Sequence, residues 1–212
     1  TGHNYYRVPG SLSLISKAEV LEFNDTDINR VISQVPGVYM QEEDGYGLRP
    51  NIGMRGSGLE RCAKINMMED GVLIAPAPYS SPAAYYSPTA GRMESFEIRK
   101  GSSQIKYGPH STGGAINYVS ASIPQHLDFK GTISLGDYGT RIAKFKTGMS
   151  SKNYGLMFQT HLDNAGGFKQ IDGGGDSGYD KKDFLLKTRI NTDSDFAALE
   201  VKISQTEELS HE

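Results

Sequence analysis

Between Val35 and Val119 glycine punctuates the chain at short, uneven intervals. That spacing limits what the region can fold into more than any other feature. In order the segments read Val35-Pro-Gly-Val38, Asn51-Ile-Gly-Met-Arg-Gly56, Met68-Glu-Asp-Gly-Val-Leu-Ile74, Phe96-Glu-Ile-Arg-Lys-Gly101, Tyr107-Gly-Pro109 and Gly113-Gly-Ala-Ile-Asn117. Glycine at such points supplies tight turns and close approach of one backbone to another. With 25 glycines, 12 tyrosines and no tryptophan, the chain reads as a turn-rich β protein with amphipathic aromatics.

Charged residues at 22% and hydrophobic ones at 37% suit a folded chain rather than a disordered one. A formal net charge of −3 gives no bulk electrostatic case for nucleic acid. No apolar run approaches the length of a transmembrane helix. Barrel strands alternate and never give such a run, so a membrane barrel stays open. Cys62 is the one cysteine, so no disulfide forms within the chain. Thr1 is not a start methionine and no charged-then-apolar leader precedes it, so any export signal is removed or not included.

The first half mixes short helices and strands. Ser16-Lys-Ala-Glu19 has capping-box spacing and predicts a helix through about Glu22. Asp25 or Thr26 can cap a second helix, whose Ile28, Val31, Ile32 and Val35 share one face; Pro36-Gly37 ends it. Asp70-Gly71 predicts a hairpin, with Ile65 and Met67 alternating against Lys64, Asn66 and Met68 before it and Val72–Ile74 returning. Met93–Arg99 and Ala115–Val119 are further strands, with Phe96 and Ile98 on one side and Ser95 and Glu97 on the other. The interleaving predicts an α+β domain around a small mixed sheet.

After Pro124 the pattern changes to five alternating segments, His126–Asp137, Thr140–Ser150, Tyr154–Asn164, Asp183–Thr192 and Phe196–Thr206. In the second, Lys144 breaks the alternation; in the last, Leu199, Val201 and Ile203 alternate cleanly with Glu200, Lys202 and Ser204. About ten residues is the length a tilted strand needs to cross a bilayer. Taken alone, the segments fit an ordinary antiparallel sheet with one wet face better, because the barrel signal per segment is weak. An open sheet in lipid leaves backbone groups unpaired, so 126–212 cannot span a membrane alone and the sequence reads as incomplete.

Enzyme motifs fail on inspection. Gly175-Asp-Ser-Gly178 has the look of a serine-protease nucleophile segment, but Tyr179-Asp180 follows where that family has glycine and proline. A polar loop tip is the simpler reading. Asp172, Asp176 and Asp180 could line a Ca²⁺ loop yet lack EF-hand spacing. The histidines show no zinc-like spacing, and Gly45-Tyr-Gly47 lacks the rest of a dinucleotide fingerprint. The reading is a non-enzyme with no catalytic residue, no metal ligand and no cofactor.

The order and spacing of the glycine segments, over roughly residues 10–123, resemble the plug domain of TonB-dependent outer-membrane receptors, most of all the ferric dicitrate branch. The resemblance implies a plug over 1–123 and, over 124–212, antiparallel strands that are the incomplete start of a transmembrane β-barrel. It places this chain in the Gram-negative outer membrane, in contact with lipid, as part of an active transporter driven by a TonB-type inner-membrane complex. In that family an arginine in an Arg-Gly motif and a second in a Glu-x-x-Arg-Gly motif pair with barrel-wall glutamates. Arg55 matches the first; Lys100 stands at the second, where lysine cannot make arginine's bidentate fork, unless Arg99 contributes. An exposed basic residue beside a turn is the bland reading of each. The resemblance puts the proline-rich stretch Ala75–Pro88 at the floor of the ligand pocket. Tyr79, Ser80, Tyr85 and Tyr86 are its candidate contacts, with Arg61 for an anionic ferric chelate such as ferric citrate. A packed loop is the plain alternative. The family's energy-coupling strand has no match in Thr1–Ser11. Other chelates, cobalamin, a glycan or a peptide fit as ligand, and a secreted or surface β-rich binding module is the alternative function.

Overall fold

A computed structural model describes residues 10–23, 27–43, 45–59, 62, 64–74, 86–101, 107, 112–169, 177–191 and 198–210. The chain divides into two compact units, Thr1–Ala121 and Ser122–Glu212.

The first unit opens with β1 (Ser11–Ile15) and α1 (Lys17–Phe23). The capping box forms as the spacing predicts. Ser16 donates to Glu19 Oε2 through its backbone N–H (2.7 Å) and its hydroxyl (2.6 Å), and the Glu19 N–H returns a bond to Ser16 Oγ (3.4 Å). The hydroxyl and then the backbone N–H hold the Glu19 carboxyl below its usual range. Helix α2 (Ile28–Ser33) is capped by Asp27, whose Oδ1 accepts from the Asn29 N–H at 2.8 Å, and not by Asp25 or Thr26, which lie outside the described residues. Ile28, Val31, Ile32 and Val35 are all buried. The helix ends at Ser33 with Gln34 as its C-cap, before Pro36 and before Gly37, which takes φ +78°.

Next come β2 (Val38–Gln41) and β3 (Asn51–Met54), an antiparallel pair the pattern did not reveal, then β4 (Ile65–Glu69), β5 (Val72–Leu73), β6 (Met93–Lys100) and β7 (Gly114–Ser120). The main sheet has the order β1-β6-β7-β4-β5, with β4 and β7 parallel and the other pairs antiparallel. Asp70 and Gly71 both have positive φ (52° and 81°), as a two-residue hairpin turn demands. The alternation expected in β4 does not hold: Asn66, Met67 and Met68 are all buried, because the strand lies inside the sheet with both faces covered. Phe96 and Tyr118 pack edge-to-face across β6 and β7 at 5.3 Å in the middle of the core.

The second unit is an antiparallel meander of β8 (Asp128–Leu135), β9 (Arg141–Ser150), β10 (Tyr154–Ala165), β11 (Tyr179–Asn191) and β12 (Ala198–Ser210). Neither β8 nor β12 has a second neighbour among the described residues. Strand β11 starts earlier than the pattern predicts, since polar Asp180-Lys181-Lys182 hides the ladder that pairs Tyr179 with Ala165. Strand β12 runs further, to Ser210, because the longer β11 templates it. Paired residues share a face, so the registers link Phe129, Thr147, Phe158, Leu186 and Ile203 in one row. The same face carries Ile133, Leu156 and Ile190, and it is exposed: Phe129 by 71%, Ile133 by 79%, Ile203 by 61%. The opposite face carries Lys144, Lys146, His161, Asp163, Lys181, Asp183 and Lys187, and all of these but Lys144 and Lys146 are buried. Apolar out and charged in is the reverse of a water-soluble sheet.

Candidate functional site

Three of the glycine segments meet at a cationic node. At the β3 exit Arg55 takes positive φ (51°), and its N–H donates to Gly37 O at 3.1 Å. Its side chain lies over Gly101, where a Cβ would sit 2.6 Å from Arg55 Nη1. The backbone conformation at 101, φ +83°, is what favours glycine there, since the flexible end of Arg55 could shift to admit a Cβ. Lys100, at the end of β6, is buried and donates from Nζ to Pro36 O at 2.7 Å. Burial first, and the Arg55 charge second, push the Lys100 ammonium below its ordinary pKa. Among the described residues the exposed Arg55 guanidinium meets no acceptor. The exposed Arg55 guanidinium, whose charge acts on Lys100, is chemically suited to receive a carboxylate.

Arg99 does not join this node. Alternation along β6 turns it to the other face, where its guanidinium lies 5.4 Å from the Tyr107 ring centroid and 3.9 Å from Glu97 Oε2. Of the residues assigned to ligand contact, Arg61, Tyr79, Ser80 and Tyr85 lie outside the described residues, as do Asp172 and Asp176 of the acidic loop. Tyr86 is half-buried and packs against the core. Ser177 is occupied as a loop tie: its Oγ accepts from Lys169 N (3.0 Å) and donates to Lys169 O (3.1 Å). Asp180 stands at the start of β11. Among the described residues no group of three His, Cys, Asp or Glu side chains is placed to hold a metal. Cys62 is fully buried, accepts from Ile52 N (3.3 Å) and donates to Pro50 O (3.2 Å); burial pushes its thiol up to about 12, so it is inert.

Sequence reasoning missed the polar ties that hold the first unit together. Arg92 Nη1, in the 3-10 turn 90–92 just before β6, and Glu69 Oε1 at the end of β4 form a buried ion pair at 2.8 Å. Asp70 accepts from Ser120 N (2.8 Å) and from the Ser120 hydroxyl, while Gly71 N donates to Asn117 Oδ1 at 2.8 Å. These bonds fix the hairpin turn onto β7. No local spacing announces them, because each joins residues more than twenty positions apart.

Comparison with known proteins settles the family. Residues 5–115, just over half the chain, match the TonB-dependent receptor plug domain model. The chain belongs to this family. Among curated proteins the chain is similar to the vitamin B12 transporter BtuB of Vibrio vulnificus strain CMCP6, 26% identical over 166 residues, covering 78% of this chain and 26% of that protein. Among solved structures it is similar to the unliganded ferric citrate transporter FecA, with TM-score 0.71 and 20% identity over 87% of this chain and 29% of that one. It is likewise similar to the copper transporter OprC, with TM-score 0.72 and 13% identity over 94% of this chain and 31% of that one. The chain thus spans about a quarter to a third of the length of these relatives. The fold is a TonB-dependent plug followed by antiparallel strands, in an unclosed sheet that matches the start of a receptor barrel. The relatives named are transporters rather than enzymes.

Proposed function

We propose that this chain is the plug (1–123) and the first barrel strands (124–212) of an outer-membrane active transporter that takes up an anionic ferric chelate, ferric citrate being the favoured example. The observation that carries the membrane part is the reversed sheet. Its exposed face of Phe129, Ile133, Leu156, Leu186, Ile190 and Ile203 suits hydrocarbon and not water. In lipid an unpaired strand edge costs several kcal/mol per orphan group, so both β8 and β12 must be paired in the working protein.

In this reading the ligand arrives from outside onto Arg61, Tyr79, Ser80, Tyr85 and Tyr86. The arginine meets the chelate's carboxylates and the tyrosines supply hydroxyls on stiff rings. The plug blocks the pore, and a TonB-type complex of the inner membrane biases it between two arrangements. The Arg55–Lys100–Gly101 node is the plug's contact with wall carboxylates. Arg99, facing the other way, serves the plug's own packing. What supports this is the acceptor-poor Arg55 beside the buried Lys100.

The full-length protein should fractionate with the outer membrane and migrate as a heat-modifiable barrel. Calorimetry should show ferric citrate binding that Arg61→Ala weakens by at least tenfold, the loss of one charge-assisted contact of about 1.5–3 kcal/mol. A protein soluble without detergent would overturn the transporter reading. Equal affinity for cobalamin and ferric citrate would overturn the ligand.

A further inference from the structure

Three hydroxyls in the first unit are buried without a partner. Residues 86–89 lead into the 3-10 turn Ala90–Arg92, and β6 follows. Ser87 and Thr89 are 4% and 2% exposed, yet among the described residues neither hydroxyl has a hydrogen-bond partner. Thr89 is the N-cap of the turn, where a threonine hydroxyl ordinarily accepts from a backbone N–H; here it makes no such bond. The third group is Tyr118 on β7. Its ring packs edge-to-face on Phe96 and is fully buried, and its hydroxyl likewise has no partner among the described residues.

The fold brings these groups together. Tyr118 is the register partner of Glu69 on β4, so the two side chains share one face of the sheet. Glu69 binds Arg92 at 2.8 Å, and the Arg92 N–H donates to Thr89 O at 3.1 Å, which carries the 86–92 segment to that face. Burial above all raises the pKa of the Tyr118 phenol, and the Ser87 hydroxyl works against the rise. Ser87 therefore stands beside the phenol, but the two oxygens are not in bonding geometry. Cys62, near the same ring, already gives its proton to Pro50 O.

We infer that Ser87, Thr89 and Tyr118 form a binding site for internal water, which ties the 86–89 segment to β7. A hydroxyl buried with no partner lowers the folding constant by about one order of magnitude, and an internal water making about three hydrogen bonds removes that cost for several hydroxyls at once. Water fits better than an ion. The charges beside the site, Glu69 and Arg92, neutralise each other, and hydroxyls both donate and accept as water does. The tie fixes the backbone next to Tyr86, whose ring packs on the same core. It belongs to the fold of the first unit and does not depend on the ligand proposed above.

A crystal structure of the full-length protein that resolves ordered solvent should show water about 2.6–3.2 Å from Tyr118 Oη and from Ser87 Oγ or Thr89 Oγ1. A dry site, or one where the hydroxyls bond directly to each other or to another protein group, would overturn the inference. Denaturant unfolding of the same protein gives a second measurement. Tyr118→Phe should lower the folding constant roughly three- to tenfold, the loss of one hydrogen bond. Ser87→Ala/Thr89→Val/Tyr118→Phe should lose less than the sum of its three single changes, because a site with no polar lining no longer needs its water. A Tyr118→Phe protein more stable than the wild type would sink the idea, since that is what deleting an orphaned hydroxyl does. Strictly additive losses would sink it too. Should a variant fail to fold, the wild-type crystal structure decides alone.

Discussion

At the scale of single residues, close approach decides more than charge. Gly114 opens β7, and a Cβ there would sit 2.3 Å from Met54 Sδ and 2.6 Å from Arg99 O. The sulfur can move; the carbonyl, being sheet backbone, cannot. Gly114→Ala should therefore lower stability by about 3 kcal/mol or more, the upper range for overpacking, in denaturant unfolding. Gly71→Ala is the matched control. Nothing lies within 4 Å of its Cβ, so only φ +81° resists, at about 1–2 kcal/mol. Equal costs at the two glycines would refute the steric argument. Lys100 makes a pH prediction. Its folded pKa is lowered from 10.5, so over the interval between the two values the unfolded chain binds more protons than the folded one. Stability must then rise as pH climbs through the folded value toward 10.5, and the gain is absent at lower pH, where both states are charged. Arg55→Gln removes the second cause of the shift and should shrink that rise without abolishing it, because burial is the first cause.

At the scale of elements, the buried pair between Glu69 and Arg92 links the end of β4 to the 3-10 turn that precedes β6. Removing one partner strands a charge in the core, so Glu69→Ala should cost about 3–5 kcal/mol. Glu69→Leu with Arg92→Met, which leaves no stranded charge, should recover most of that loss. A double variant as unstable as the single would show that Arg92 works mainly through its other contacts. The same elements show what a sequence can reveal. Both helices were legible because their signals are local: a capping box at Ser16 and Glu19, and an apolar stripe from Ile28 to Val35. The hairpin at Asp70-Gly71 was legible for the same reason. Strands β1, β2 and β3 were not, since runs this short show no clear period without a two-residue turn joining them to a partner, and their pairing comes from tertiary partners such as Phe96 opposite Ile15. The cap of α2 slipped to Asp27 because several adjacent residues could serve and only backbone geometry chooses among them. At the candidate site the sequence pointed to Arg55 and Lys100 but could not separate them from Arg99; strand alternation does so at once.

At the scale of the whole molecule, the two units follow opposite rules. The first hides Phe96, Ile98, Ile116 and Tyr118 in a core, as water requires. The second shows its large apolar side chains and buries His161, Asp163, Lys181, Asp183 and Lys187, with Tyr179 donating to Asp163 at 2.8 Å on the polar side. One solvent does not favour both arrangements, which supports the membrane reading proposed above. This yields a sharp test by face rather than by position. Leu186 sits mid-strand in the apolar row of Phe129, Phe158 and Ile203, so Leu186→Arg should destabilise the full-length barrel by about 2–4 kcal/mol in a lipid or detergent unfolding assay. Lys130→Gln on the opposite face of β8 should change stability by less than about 0.5 kcal/mol. In a water-soluble sheet the ranking collapses, because arginine on an exposed face costs little. The difference between the two variants, measured in one assay, therefore reports which solvent the apolar face has been selected to meet.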